Sequence, residues 1–318
     1  MTDQAKENIE WQQRCPYTLK LLNELEKTSR EHIILDALGG PNGYSVRACE
    51  EENNEFGQTF DARFLEDPSV AIPRTTHGIE SRSGTAKLKL RGTTVEGGRP
   101  VDITLPHSGA VEVYHRNPVD IDIDGRPKRI VATEGQSQEL LTQMEANLKN
   151  KGMSIGEVKV ERSENQELHL QASFNLTVIK AGLMKIAYLA CFEYLGEDFL
   201  DDPLNGEWQK AIRASTAEEA ADVKIHGASF DGAAPADDFF SDLGKHEHGI
   251  TIVNLNQEGP IVVVRLFGSS LLTVFARASD SNDFGMPYGE GVFVICDATR
   301  RSISREPFLK GMIRKSGM

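Results

Sequence analysis

The chain has few cysteines and no long uninterrupted apolar run. Four cysteines in 318 residues are too few and too scattered for a disulfide framework, which favours a reducing compartment. The most apolar segment, residues 176–195, is interrupted by Lys180, Lys185 and Glu193, so it lacks the continuous apolar span of a transmembrane helix. The first residues show no apolar stretch behind a basic start, so no secretory signal is indicated. These absences predict a cytoplasmic protein that does not contact a membrane.

The chain has fewer basic than acidic residues. The chain carries 35 lysine and arginine residues against 48 aspartate and glutamate residues, which gives a net charge of -13 at pH 7. This balance argues against broad attraction to polyanions, although a local basic patch can still bind a phosphate backbone. The basic stretch at residues 300–315 is more easily explained by solvation or internal pairing than by phosphate contact.

The hydrophobic pattern predicts an α+β fold with two domains. Apolar positions at helical spacing predict an amphipathic helix over residues 17–27, and a second helix carries Phe56, Phe60 and Phe64 four residues apart. Between these helices, two short β-prone runs flank the loop "GGPNG", whose residue types favour a turn. Together these elements form a predicted N-terminal ββα domain, residues 1–72.

The second predicted domain is residues 73–318, a mixed β-rich and helical region. Alternating segments predict several short strands, and helices are expected at about residues 138–149 and 177–195. Residues 221–249 are rich in Gly, Ala and Asp, which predicts a long loop. The last four apolar strands lie close together in sequence, which favours an antiparallel sheet.

The segment "SREHIILDALGG" and the helix after it bring together a histidine, two acids and an asparagine. His32 lies on the first strand, where an imidazole can be held rigidly and accept a proton near neutral pH. Glu31 and Asn53 offer a carboxylate and an amide oxygen, the hard ligands that Mg²⁺ and Mn²⁺ prefer. Asn53, Gly57 and Asp61 are four residues apart and share one row of the helix. The pattern therefore suits a divalent ion beside a general base.

This segment resembles the HNH endonuclease family, the ββα-metal nucleases, over about residues 15–67. It is most similar to a bacterial subgroup whose core has E-H-I-I-P, then G-G, then C-x-x-C-N, then G and D. On that resemblance His32 matches the general base, and Glu31 and Asn53 match metal ligands. The middle residue of the three-letter signature has two candidates here, Asn42 and Ser45. The matching positions are Glu31, His32, Gly39, Gly40, Cys49, Asn53, Gly57 and Asp61.

The segment departs from this subgroup at the zinc-binding cysteines. Each C-x-x-C pair keeps its first cysteine, Cys15 or Cys49, and has Thr18 or Glu52 in place of the second. A structural zinc site with four thiolates is therefore impossible. A metal held by the two cysteines with Glu52 stays open as an alternative to two ordinary buried thiols.

The resemblance implies a metal-dependent endonuclease that hydrolyses DNA. His32 would activate water, and one Mg²⁺ or Mn²⁺ would be held by Glu31 and Asn53, with Asp61 as a further ligand. A single metal ion is enough for this family.

The expected partners of such a site are DNA and, as an open alternative, a protein or a second copy of the chain. Residues 73–318 would then serve substrate selection, partner binding or regulation, and a role in bacterial defence follows from family association alone. The cations expected to contact the substrate phosphate are Arg30, Arg47 and Arg63.

A second hypothesis comes from another class of protein. Loss of the cysteines is also compatible with an HNH-like module that has lost catalysis and serves interaction or ligand sensing. A separate metal site at His246 and His248 is less favoured than a solvated loop end, because no third ligand lies near them in sequence.

Overall fold

The computed structural model has an α+β fold, which confirms the fold class expected from the sequence. The chain forms two compact units, one of residues 1–86 and 174–318 and one of residues 87–173. These units do not coincide with the expected division after residue 72, because the helix at residues 176–195 shares a hydrophobic core with the N-terminal segment. The structure describes residues 11–81, 84–85, 88–106, 111–124, 126–150, 152–161, 167–225, 239–240, 242–255 and 259–315.

The first unit begins with a β-hairpin that leads directly into a helix. Strands β1 (Thr28–His32) and β2 (Ser45–Cys49) are antiparallel, with a short 3-10 helix, Asp36–Leu38, between them. The chain order of strand, loop, strand and helix is the one that the sequence predicts. Phe56 and Phe64 of the helix are both buried. Helix α1 has the segments Glu50–Phe56, Gly57–Asp61 (a π-helical turn) and Ala62–Glu66, and is followed by α2 (Pro68–Thr76), β3 (Glu80–Ser81) and β4 (Gly84–Thr85).

The predicted helix over residues 17–27 is wrong. Only a 3-10 turn, Leu22–Glu24, forms in this segment. Leu19 has a φ of 60°, in the left-handed region that a helix interior does not contain, and the Cys15 N–H donates to the Lys20 carbonyl oxygen to close a loop. Leu19 is also 39% exposed, so the leucine spacing does not mark a buried stripe here.

The second unit is built around a four-stranded antiparallel sheet. Its elements are β5 (Leu88–Thr94), β6 (Pro100–Leu105), β7 (Glu112–His115), β8 (Val119–Ile121), β9 (Pro127–Ile130), α3 (Glu134–Lys149) and β10 (Leu168–Gln171). The sheet order is β10-β5-β6-β7, and Leu90, Val101 and Ile103 form its buried cluster. Gln136 exchanges two hydrogen bonds with the His115 backbone, over 3.0 and 2.7 Å, which fixes α3 to β7.

The C-terminal part of the first unit is a buried helix packed on an antiparallel sheet. Its elements are α4 (Leu176–Leu195), α5 (Asn205–Arg213), α6 (Ala217–Ala221), β11 (Glu247–Val253), β12 (Ile261–Arg265), β13 (Thr273–Arg277), β14 (Gly291–Asp297), β15 (Ser302–Pro307) and α7 (Phe308–Lys315), with 3-10 helices at Glu197–Asp201 and Ser270–Leu272. Helix α4 is apolar on most sides and packs on β11, β12 and β13, as expected of a helix without a broad polar face. The sheet order β13-β12-β11-β14-β15 confirms the predicted antiparallel sheet.

None of the helices in the described ranges has the length and apolar character that spanning a bilayer requires. The loop expected over residues 221–249 falls largely on residues 226–238 and 241, which lie outside the described residues.

Candidate functional site

Glu31 and His32 are neighbours in β1, and their side chains have different environments. Side chains alternate between the two faces of a strand. Glu31 is only 3% exposed, whereas His32 is partly exposed at the last position of the strand. His32 lies opposite Ser45 in the hairpin, and the Ser45 hydroxyl donates to the Asn42 carbonyl oxygen over 3.4 Å. Both candidates for the middle signature residue therefore lie at this end of the hairpin.

An open cleft of about 510 Å³ lies beside the hairpin and α1. It brings His32 into one space with Asn53 and Asp61. The π-helical turn of α1 contains both Gly57 and Asp61, and such turns often occur at functional sites. The lining residues are Arg30, Glu31, His32, Leu35, Asp36, Ala37, Asn53, Gly57, Asp61, Ala62, Leu65, Glu66 and Arg74.

Asn53 connects the first segment of α1 to β1. Its side-chain amide nitrogen donates to the Ser29 hydroxyl over 2.8 Å and to the Arg30 carbonyl oxygen over 3.0 Å. These two bonds hold the helix start beside the strand that carries His32. The amide group thus has an evident structural role, in addition to the metal-binding role that the resemblance implies.

Lys185 of α4 lies between Glu31 and Asp61. Its Nζ is 2.7 Å from Glu31 Oε1 and 2.9 and 2.7 Å from the two Asp61 carboxylate oxygens. Burial raises the pKa of Glu31, and Lys185 opposes that rise. Burial alone would lower the pKa of Lys185, but the two carboxylates outweigh it and raise that pKa above its ordinary value. The ammonium group is therefore the positive partner of both acids.

The predicted metal ligands do not converge on a common empty point. Glu31 and Asp61 converge on Lys185, whereas the Asn53 amide nitrogen contacts Ser29 and the backbone of β1. Within the part of the chain that the structure describes, no three His, Cys, Asp or Glu side chains are grouped so that they could hold a metal ion. With Lys185 in this position the carboxylate pair does not fit a divalent cation.

The two cysteines that the resemblance assigns to zinc-binding pairs, Cys15 and Cys49, lie close together. The Cys49 N–H donates to the Cys15 sulfur over 3.2 Å. This contact places the two segments that would correspond to C-x-x-C pairs side by side. Glu52, which stands at the position of a second cysteine, pairs instead with Arg213 over 3.0 Å. Cys15 is fully buried and neither cysteine forms a disulfide.

Of the three arginines expected to contact phosphate, one lines the cleft and two lie elsewhere. Arg30 lines the cleft, whereas Arg47 donates to the Thr28 hydroxyl over 2.6 Å and Arg63 lines a separate small cavity near Lys185. Neither Arg47 nor Arg63 is among the residues that line the cleft.

Arg74 is a cleft residue that the sequence analysis missed. It follows Pro73 within α2, and no sequence signal marks it as functional. Burial lowers the pKa of Arg74, and the nearby Asp36 carboxylate only partly offsets this effect. Within the described residues its buried Nε has no hydrogen-bond partner. A guanidinium in this state is well placed to pair with an oxyanion.

Residues of the C-terminal sheet region hold the loop that forms one side of the cleft. Arg301 donates to the Asp36 carboxylate over 2.7 Å and to the Gly40 carbonyl oxygen over 3.4 Å. Gly39 has a φ of 83°, and a Cβ atom there would collide with the Ala298 carbonyl group. Only glycine fits this close approach.

The expectation of a solvated loop end at His246 and His248 is wrong for His248, which is fully buried in β11. Its Nε2 donates to the Leu38 carbonyl oxygen over 2.8 Å and its Nδ1 accepts the Phe267 N–H over 3.2 Å. Burial lowers the pKa of His248 to about 4, so the ring is neutral and structural. His246 is 44% exposed, and its Nε2 lies 3.8 Å from Asp297.

No protein-family model, curated protein or solved structure matches this chain. The HNH resemblance stays a prediction.

Proposed function

We propose that the chain hydrolyses phosphodiester bonds of a nucleic acid strand, with DNA as the expected substrate, in the cleft at His32. The observation that carries the proposal is the position of His32. It ends the first strand of a strand-strand-helix unit and lines an open cleft of about 510 Å³ together with Arg30 and Arg74. A rigidly held imidazole can accept a proton from water, and guanidinium groups can pair with phosphate oxygens.

In the proposed reaction His32 removes a proton from a water molecule as the water oxygen attacks phosphorus. The bond from phosphorus to the leaving sugar oxygen breaks, and that oxygen takes a proton from solvent. Arg30 and Arg74 stabilise the negative charge on the phosphoryl oxygens. Because Glu31 and Asp61 are paired with Lys185, no step is assigned to a metal ion.

The test is cleavage of supercoiled plasmid and of labelled single- and double-stranded oligonucleotides in Mg²⁺, Mn²⁺ or EDTA. Loss of a general base is expected to lower the rate by about 100-fold or more in His32→Ala. The matched control is His169→Ala, an exposed histidine of the second unit, which should leave the rate unchanged. Equal rates for wild type and His32→Ala would refute the proposal.

A second candidate is a module that binds nucleic acid without cutting it. The observation that favours it is Lys185, which holds both carboxylates that the resemblance assigns to the metal site. Fluorescence anisotropy with the same oligonucleotides separates the candidates. Binding that Arg74→Gln weakens, without cleavage under any of the three conditions, would support the second candidate over the first.

A further inference from the structure

The position of the Lys185 ammonium group is incompatible with a metal ion on the same carboxylate oxygens. Nζ lies 2.7 to 2.9 Å from three oxygens of Glu31 and Asp61. A Mg²⁺ ion would need to lie about 2.1 Å from its oxygen ligands. Such an ion would come into contact with Nζ, and the two positive charges would repel each other. The carboxylate pair can hold one of the two cations at a time.

The surroundings of Lys185 favour the ammonium group over an incoming ion. Lys185 is 2% exposed and belongs to a helix that is buried on most sides, so its ammonium group has little contact with water. Its Nζ also lies 5.0 Å from the centre of the Phe56 ring, at a distance that allows a cation–π contact. Displacing it would leave a buried ammonium group without its partners, which is strongly unfavourable.

The two acids need a positive partner at this place. Glu31 is 3% and Asp61 8% exposed, and they come from different elements, β1 and α1. Two carboxylates that approach one buried point repel each other unless a cation lies between them. The chain supplies that cation from a third element, α4, more than a hundred residues later in the sequence.

We infer that Lys185 is the resident cation of the Glu31–Asp61 carboxylate pair, that it replaces a divalent ion there, and that it closes this pair to metal ions in the folded protein. It is a positioning residue that ties β1 and α1 to α4. The pairing of Glu52 with Arg213 is a parallel case, because a basic side chain there also meets an acid at a position the resemblance assigns to metal binding. The inference goes beyond the proposed hydrolysis, since it holds whether or not His32 acts on a phosphodiester.

The test measures Mn²⁺ binding by electron paramagnetic resonance on the full chain after removal of metals with EDTA. Wild type and the double variant Glu31→Gln with Asp61→Asn are expected to bind the same amount of Mn²⁺. Lys185→Gln is expected to gain a Mn²⁺ site, and adding Glu31→Gln to it should remove that site. Lys180→Gln, on the same helix, is the matched control and should behave as wild type.

Thermal unfolding gives a second readout that does not depend on activity. Saturating Mn²⁺ is expected to raise the Tm of Lys185→Gln by about 3 °C or more relative to its effect on wild type and Lys180→Gln. The reason is that the ion would neutralise a carboxylate pair that the substitution leaves without a cation.

Two results would overturn the inference. One is Mn²⁺ binding by wild type that the double variant Glu31→Gln with Asp61→Asn abolishes. The other is a folded Lys185→Gln variant that gains no Mn²⁺ site. If Lys185→Gln does not fold, the comparison of wild type with the Glu31 and Asp61 variants still decides. Cleavage is not measured in these experiments, so a failure of the proposed hydrolysis would not be mistaken for a failure of the inference.

Discussion

Arg301 donates a hydrogen bond of 2.7 Å to the carboxylate of Asp36, 265 residues earlier in the chain. The same guanidinium group donates to the backbone oxygens of Asp36, Gly40 and Glu80. One side chain after β14 therefore joins the hairpin loop beside His32 to the segment that follows α2. The shape of the cleft depends on a residue that the N-terminal motif does not contain.

Arg301→Ala is expected to lower the free energy of unfolding by about 1 to 2 kcal/mol, because it removes a partly exposed charged pair and several bonds to backbone oxygens. Urea denaturation measures the change. The control is Arg300→Ala, whose side chain is 83% exposed and should have little effect. Equal effects of the two substitutions would mean that Arg301 does not hold the loop.

His248 predicts a dependence of stability on pH. Its pKa falls from 6.5 to about 4 on folding, chiefly through burial. The unfolded chain therefore takes up a proton between these values and the folded chain does not. The contribution to stability is complete above pH 6.5 and is lost as pH falls toward 4, by about 3 kcal/mol in all.

The measurement is the free energy of unfolding at pH 7 and pH 4.5 for wild type and His248→Gln. The wild-type value should fall more steeply with acid, because His248 is protonated in the unfolded chain but stays neutral in the folded chain, where its buried Nδ1 accepts the Phe267 N–H. His169→Gln, at an exposed position, serves as the control. Parallel pH profiles for wild type and His248→Gln would contradict the assignment of His248 as a buried neutral ring.

Asn53 offers a way to separate a structural amide from a metal ligand. Its nitrogen donates to the Ser29 hydroxyl and to the Arg30 carbonyl oxygen, so Asn53→Asp should lose at least the bond to Arg30 and cost about 1 kcal/mol, and Asn53→Ala should cost at least as much. A metal ligand would show the reverse pattern, since aspartate binds Mg²⁺ better than asparagine does. Urea denaturation with and without Mn²⁺ distinguishes the two, and the exposed neighbour Asn54→Ala is the control. Stabilisation of Asn53→Asp by Mn²⁺ would show that the metal-ligand assignment is the better one.

The resemblance at the cysteine positions can be tested by restoring the two missing thiols. The double variant Thr18→Cys with Glu52→Cys is expected to bind close to one zinc ion per chain, because four thiolates would then be available near the Cys15–Cys49 contact. Zinc content measured by mass spectrometry should stay low in wild type and in Thr18→Ser with Glu52→Ser. If the double cysteine variant gains no zinc, the match at these positions is coincidental.

The elements that could be predicted from the sequence are those whose signals are local. The loop "GGPNG", the alternation in β2 and the spacing of Phe56, Phe60 and Phe64 each lie within one loop, one strand or about two helical turns, so they indicate the hairpin and α1. The leucines of residues 17–27 have a similar spacing, but the backbone is left-handed at Leu19 and a hydrogen bond between Cys15 and Lys20 closes a loop there. Local spacing alone cannot distinguish such a segment from a helix.

The parts of the site that could not be predicted depend on residues far apart in sequence. In sequence Lys185 is only an interruption of an apolar segment, and its partners Glu31 and Asp61 lie in other elements. One signal was present, since a lysine in the middle of an otherwise buried helix needs a buried acid. For Arg74 and Arg301 no comparable signal exists, because arginines on surface loops and helix ends have the same sequence context.

The close packing of Gly39 against Ala298 also has a consequence for how the protein is made. On the ribosome the residues of the hairpin emerge first, and β14 and Arg301 are translated only after more than two hundred further residues. Until then the loop next to His32 has nothing to dock on. A nascent chain, or one broken off before residue 301, therefore lacks the contacts with Ala298 and Arg301 that hold this loop at the edge of the cleft.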